Sequence, residues 1–167
     1  LNTIQKLIDT LELEEHPEGG YFKETYRSEE IIPEKELPEV FEGERNCCTG
    51  IYFLLTSDTF SAFHKIHQDE MWHFYEGSSL TIHMIYSDGR YEKQEVGMNL
   101  EKGERPQFTV PKEVWFAAEV SEPNSYSLVG CTVSPGFDFR DFELAERESL
   151  TKRFYNHGDI ISKFTRA

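Results

Sequence analysis

From residue 46 to residue 133 the sequence keeps a period of two and never settles into a helical one. The segments "CCTGIYFLL", "FSAFHKI", "MWHFYEG", "LTIHMIYS", "RYEKQEVG", "QFTV", "VWFAAEV" and "YSLVGCTV" read as short strands. Turn-forming breaks divide them: "TSD", "SDGR", "EKGERP" and "SEPNS". In "SDGR" the Asp88-Gly89 pair suits a tight hairpin with positive φ. Short strands at close spacing, without helices between them, indicate an antiparallel sandwich or barrel.

The flanks have other patterns. Ile4, Leu7, Ile8 and Leu11 fall at helical spacing, so "LNTIQKLIDTLEL" predicts one short amphipathic helix. It stops at "EEHPEGG", where Pro17 and Gly19-Gly20 signal a turn. "YFKETYR" alternates and reads as a strand. Residues 28–45 carry two prolines and many charges, which predicts a surface loop over a site or an interface. "RDFELAERESLTKRF" returns to helical composition. With 167 residues and no internal repeat, the chain makes one domain, 1–167.

Composition bounds the partners. An apolar fraction of 38% with 14% aromatic residues supports a folded core rich in Phe and Tyr. A net charge of −14 argues against nucleic acid, which needs a basic footprint, and against anionic membranes. It leaves room for a local pocket that takes a small metabolite. Cys47 and Cys48 are adjacent and Cys131 stands alone, so the thiols are expected to be reduced and mostly buried, as in a cytoplasmic protein. No signal-peptide pattern, lipidation motif or apolar run of about 18 residues occurs in the sequence.

The chemistry-bearing residues concentrate in "AFHKIHQDEMWHFYEG", residues 62–77. Alternation puts Phe60, Ala62, His64 and Ile66 on one strand face and Ser61, Phe63 and Lys65 on the other. Lys65 marks the second set as outward, so His64 is expected to face the interior. Glu70, six residues on across a short turn, can stand beside that imidazole, an arrangement that suits metal ligation or a proton-transfer pair. His67 falls in or near the turn. On the next strand either Glu70, Trp72 and Phe74 or Met71, His73 and Tyr75 face inward, unless a bulge brings in both. Trp115 and Phe116 in "VPKEVWFAAEV" either wall a pocket or fill the core. Tyr21, Glu24, Tyr26 and Arg27 are further pocket candidates, Arg27 as a two-pronged partner for a carboxylate or phosphate.

These residues resemble the cupins, small antiparallel jelly-roll barrels with an internal pocket. Glu70 to Gly77 matches the E-x6-G half of the first cupin motif, with His64 at the place of its first histidine. Four ordered blocks are similar to a cupin-like family of unknown function with an RmlC-like jelly roll: "HPEGGYFKETYRS", "SAFHKIHQDEMWHFYEG", "TVPKEVWFAAEV" and "GCTVSPGFDFRDFELA". They set the barrel at about residues 16–145. The resemblance implies a mainly β, single-domain fold, with a short N-terminal helix and C-terminal helices. It also implies a homodimer formed through residues 21–45.

The resemblance implies two kinds of chemistry. Metal-binding cupins use H-x-H, a glutamate and a histidine from P-x-G-x-x-H. Here Ile66 stands at the second position, Glu113 at the glycine and Phe116 at the last histidine. A divalent metal would therefore rest on His64 and Glu70 with His67 or His73, and no cofactor is the expectation. Sugar-nucleotide 3,5-epimerases of similar fold instead use a histidine base and a tyrosine acid. By that analogy His64 takes a proton next to a carbonyl, Glu70 orients it, and a pocket tyrosine returns the proton. The expectation is a cytoplasmic protein that binds a small sugar-like or acid-like metabolite, with isomerase or epimerase chemistry at His64 and Glu70. The alternatives are a metal-dependent dioxygenase or isomerase and a non-catalytic binding module.

Overall fold

A computed structural model describes residues 2–167. In chain order the elements are α1 (Asn2–Thr10), β1 (Glu14–Glu15), β2 (Tyr21–Arg27), β3 (Ile31–Ile32), β4 (Arg45–Asn46), β5 (Thr49–Thr56), β6 (Ser61–Lys65) and β7 (Asp69–Gly77). They continue with β8 (Leu80–Ile85), β9 (Tyr91–Val96), β10 (Gln107–Val110), β11 (Trp115–Val120), β12 (Tyr126–Ser134), β13 (Glu143–Leu144), α2 (Arg147–Arg153) and α3 (Gly158–Lys163). Every expected strand is present within a few residues of its predicted place.

The strands form two facing sheets, ordered β1-β2-β5-β12-β7-β10 and β13-β6-β11-β8-β9, with β3 and β4 as a separate ribbon. All neighbours in these sheets pair antiparallel. These are the two antiparallel sheets that the period-two pattern predicts, arranged as the jelly roll that the cupin resemblance implies. Its interior is filled from both sheets by Phe53, Leu55, Trp72, Ile82, Met84, Phe116, Val129 and their neighbours.

Helices cover the two outer faces. The apolar stripe Ile4, Leu7, Ile8 and Leu11 packs on Leu54 and Leu128 of the six-stranded sheet. Leu150, Phe154, Ile161 and Phe164 from the C-terminal helices cover Phe63, Ile85 and Trp115 of the five-stranded sheet. Phe63 is therefore buried on an outer face, although its parity partner Lys65 reaches out over the Trp115 ring.

Three local expectations need correction. The tail is not helical from Arg140: residues Phe139–Asp141 form a 3-10 turn and Glu143–Leu144 pair with Lys65 and His64, so the helix starts only at Arg147. Helical composition there loses to the exposed edge of β6, which needs backbone partners. The stretch 28–45 is no open loop. It holds the β3–β4 ribbon and is pinned by the buried Arg45, whose Nε and Nη2 donate to Asp141 at 2.9 and 2.7 Å. In the 86–90 turn only Gly89, at φ 87°, adopts positive φ, while Asp88 does not. The Gly89 N–H donates to the Tyr86 carbonyl and the Tyr86 N–H to the Arg90 carbonyl, so one left-handed residue closes the hairpin.

Candidate functional site

A cavity of about 330 Å³ opens at one end of the barrel, walled by β2, β5, β6, β7, β12 and the segment after β12. His64 and Glu70 both line it, with Ile66 between them in the chain. Phe22, Ile51, Val133, Phe137, Phe139 and Phe142 make most of its surface apolar.

Alternation along β6 aims His64 inward, as expected. Its register partner Phe116 lies against the ring at 4.1 Å between centroids, and Phe142 stacks on it at 5.3 Å. His64 Nδ1 sits 2.7 Å from the Ala62 carbonyl, which can only accept, so this nitrogen carries a hydrogen. Its Nε2 stands 2.6 Å from Glu18 Oε2. The approach is off the hydrogen-bond line, and Oε2 has no aligned donor.

Glu18 reaches His64 from the turn before β2. Gly19 and Gly20 adopt φ 111° and 83°, which lets the backbone of "HPEGG" fold tightly against Phe60 and Phe53. The Glu18 carbonyl accepts from the Ala62 N–H at 2.9 Å and from Arg166 Nη1 at 2.8 Å. His16 comes with the same turn. Its Nδ1 accepts the Glu18 N–H at 3.2 Å, and its ring packs on Phe22 at 4.7 Å. Burial lowers the His16 pKa against the pull of Glu18, so this imidazole is neutral.

The electrostatics divide the acids. For His64 burial pushes the pKa down, but the charge of the adjacent Glu18 carboxylate outweighs it and the net direction is up. For Glu18 burial pushes up, the His64 charge pulls down, and the net direction is down. The two form an ion pair. Glu70 differs: burial raises it, His64 only partly offsets this, Glu18 adds repulsion, and its pKa reaches about 7. The buried Cys131 thiol faces Glu70 and is itself raised far above the usual thiol range by burial.

Along β7 the open choice falls to Glu70, Trp72 and Phe74. Trp72 pairs in register with Cys131 and is buried in the barrel core, deeper than the cavity wall. His73 points outward and bonds Thr132 Oγ1 at 2.9 Å, so it is neither pocket residue nor ligand. No bulge occurs at Glu70; the register shift comes later, between the partners Leu128 and Val129. His67 also lies outside the cavity, paired with Glu113 at 2.9 Å.

The aromatic candidates separate in the same way. Phe116 is barrel core in contact with His64, whereas Trp115 has opposite parity and sits under the C-terminal helices. Tyr26 is 54% exposed, and Tyr21 packs beside α1. No tyrosine is among the residues that line the cavity. Glu24 and Arg27 do line it, despite opposite parity, because a bulge between Glu24 and Tyr26 resets the strand. Arg27 is already committed. Its Nε and Nη2 donate to Glu24 at 3.2 and 2.6 Å, Nη1 to Asn46 Oδ1 at 2.8 Å, and Nη2 to the Phe137 carbonyl at 3.0 Å.

Sequence reasoning passed over His16, Glu18 and Cys131. The signal for the first two was Gly19-Gly20: a glycine pair that brings the backbone close also delivers its neighbours into the site. A metal suits this donor set poorly. The four cupin ligand positions hold one imidazole, one carboxyl and the hydrocarbons Ile66 and Phe116, and both His64 nitrogens already face protein oxygens. Among the described residues no three His, Cys, Asp or Glu side chains are arranged to hold an ion. Glu113 takes the motif's glycine position and keeps its left-handed backbone, at φ 63°.

The model of the family described as "Cupin superfamily (DUF985)" matches residues 5–145. An uncharacterized protein of Saccharomyces cerevisiae, YML079W, is 32% identical over 160 residues, covering 90% of this chain and 79% of the yeast protein. The crystal structure of protein SO0799 from Shewanella oneidensis is 42% identical with a TM-score of 0.87, over 97% of this chain and 96% of that one. A hypothetical protein from Leishmania major is 34% identical with a TM-score of 0.89, over 98% of each chain. Oxalate decarboxylase from Bacillus subtilis shares the fold at 14% identity and a TM-score of 0.54, over 90% of this chain and 36% of that one. No helix among the described residues is long and apolar enough to cross a membrane.

Proposed function

We propose, from the premise that this chain belongs to the cupin superfamily (the DUF985 family), that its barrel binds a small metabolite and moves a proton on it. The observation that carries this reading is Glu70: a carboxyl with a pKa of about 7 in the wall of a largely apolar 330 Å³ cavity. A group that titrates near neutrality is present in both its acid and base forms, which is what proton transfer at that pH needs.

The reaction class is isomerisation of a hydroxy carbonyl compound, because no tyrosine lines the cavity to act as the opposite-face acid that epimerisation needs. Ionised Glu70 takes a proton from the hydroxyl-bearing carbon, and the electron pair of that C–H bond moves through the new C–C double bond onto the carbonyl oxygen as an enediolate. The hydroxyl proton passes to that oxygen, and protonated Glu70 delivers its proton to the former carbonyl carbon. His64 is not the free base that the epimerase analogy implied, because both ring nitrogens are engaged. Its part is to hold Glu18 and to place a positive charge near Glu70. The chemistry runs through this chain's own side chains, in a reduced, cytoplasmic protein.

The test is deuterium uptake from heavy water into small hydroxylated carbonyl compounds, with wild type and Glu70→Gln. Wild type is expected to exchange at least one of them, and Glu70→Gln to lose about 10²-fold or more. Exchange at the wild-type rate in the variant sinks the assignment. Thermal stabilisation by a ligand with no exchange in either protein converts the reading to a non-catalytic binding module.

A further inference from the structure

An enediolate carries negative charge on the former carbonyl oxygen, and a site that lowers the barrier to it holds a hydrogen-bond donor there. The side-chain N–H groups of the cavity wall are committed elsewhere, with one exception. Both His64 nitrogens face protein oxygens, and Arg27 makes four hydrogen bonds within the protein. His16 is the exception. Its Nε2 has no hydrogen-bond partner among the described residues, yet it is not one of the polar atoms sealed from contact.

The turn that carries His16 also fixes where its hydrogen sits. Nδ1 accepts the Glu18 N–H at 3.2 Å, so the neutral ring carries its hydrogen on Nε2. The opposite tautomer would aim Nδ1–H at Glu18 Oε1, 3.4 Å away, and strand the backbone N–H of the buried Glu18 without an acceptor. The His16 side chain is 7% exposed. Its ring is held among Phe22, Phe139 and Phe142, at 4.7, 6.1 and 6.2 Å between centroids, and all three line the cavity with it. Glu70 lines the same 330 Å³ space, which is small enough for one ligand to touch both residues.

We propose that His16 is a second catalytic residue of this site, its Nε2–H donating to the carbonyl oxygen of the substrate, a role that rests on the reading of Glu70 as the base. As the C–H electron pair arrives, the carbonyl oxygen takes the Nε2 proton, and the proton of the neighbouring hydroxyl replaces it on Nε2. The imidazole ends the cycle as it began, and the hydroxyl proton has reached the other oxygen without a co-reactant. A neutral imidazole is matched to a weakly acidic enediol, for which an imidazolium would be too strong an acid.

The probe is glycolohydroxamate, whose planar O–C–N–O unit imitates an enediolate, added to protein with nitrogen-15-labelled histidine. At pH 7 the His16 ring is expected to carry hydrogen on Nε2 alone, and the Nε2–H proton signal to move downfield when the probe binds. His16→Phe should bind the probe about tenfold or more weakly. It should also lose about 10²-fold or more of the wild-type exchange of hydroxy carbonyl compounds. Thermal unfolding and an unchanged His64 titration confirm that this variant keeps its fold and the Glu18–His64 pair; if it does not, the wild-type spectra decide alone. Hydrogen on Nδ1 overturns the proposal, as does a probe that binds without moving the Nε2–H signal. Equal probe affinity in His16→Phe, or no probe binding to wild type, overturns it too. Exchange that needs Glu70 but not His16 sinks this proposal alone. Probe binding through His16 with no exchange in wild type sinks the catalytic reading and leaves His16 as the donor of a binding site.

Discussion

His64 Nε2 lies 2.6 Å from Glu18 Oε2, although the two residues are 46 positions apart and on different elements. With Nδ1 committed to the Ala62 carbonyl, the imidazole faces Glu18 with its only other nitrogen. The pair is therefore the charged anchor of the cavity, and Glu70 is the group left to react.

Replacing Glu18 tests that anchor. The His64 contribution to stability is full below its ordinary value of 6.5 and is lost as pH rises through its raised folded value. The Glu18 contribution is full above 4.5 and is lost as pH falls through its lowered folded value. The ion pair is thus strongest between pH 4.5 and 6.5. Glu18→Gln should cost about 1–3 kcal/mol in that window, less than a stranded charge would, because His64 can release its proton. An NMR titration should show the His64 pKa falling; an unchanged value in the variant would disprove the pairing.

Glu70 predicts a stability change of the opposite sense. A carboxyl raised from 4.5 to about 7 in the folded state costs stability as pH climbs between those values. By pH 8 the ionised, partly buried group costs about 3 kcal/mol relative to a neutral one. Glu70→Gln should therefore be more stable than wild type at pH 8 and close to it at pH 5, measured by urea unfolding at both. Parallel stability curves for the two proteins across that range would refute the raised pKa.

How much of this was legible follows from which interactions are periodic. Strand parity is periodic, so the inward aim of His64 and an antiparallel sandwich or barrel could be read from alternation and turns, while the jelly roll came from the four blocks that resemble the cupins. The choice between Glu70 and His73 could not, because both faces of β7 carry aromatic and polar side chains. Glu24 and Arg27 share the cavity only through a bulge, which parity reasoning cannot see. Glu18 was invisible for a different reason: a glutamate in a turn beside Pro17 looks solvated until Arg166 and Ala62 fix its backbone inside. Charge is a composition-level quantity, and it hid a site in which nearly every ion is paired.

Self-association is expected through residues 21–45. Tyr26, Ile31 and Val40 on this stretch are 54%, 43% and 43% exposed, apolar surface that a second copy of the chain would cover. Light scattering at micromolar concentration should report a homodimer, and Ile31→Glu should shift it toward monomer without lowering barrel stability by more than about 1 kcal/mol. A monomeric wild type removes this proposal.

Gly19→Ala puts the whole arrangement under test with one methyl group. Gly19 adopts φ 111°, where a side chain is strained, and a Cβ there would overlap the Phe60 carbonyl oxygen and come 2.7 Å from Arg166 Nη2. The carbonyl belongs to backbone and cannot swing away, so the turn must move, and Glu18 moves with it. The expected cost is several kcal/mol, about 2–4, from strain and a displaced buried carboxylate. Unfolding measurements would give that loss, and a His64 titration in the surviving folded fraction should show the lowered pKa seen in Glu18→Gln. If Gly19→Ala keeps both wild-type stability and the wild-type His64 titration, the turn does not hold Glu18 in place and the site must be rebuilt around other contacts.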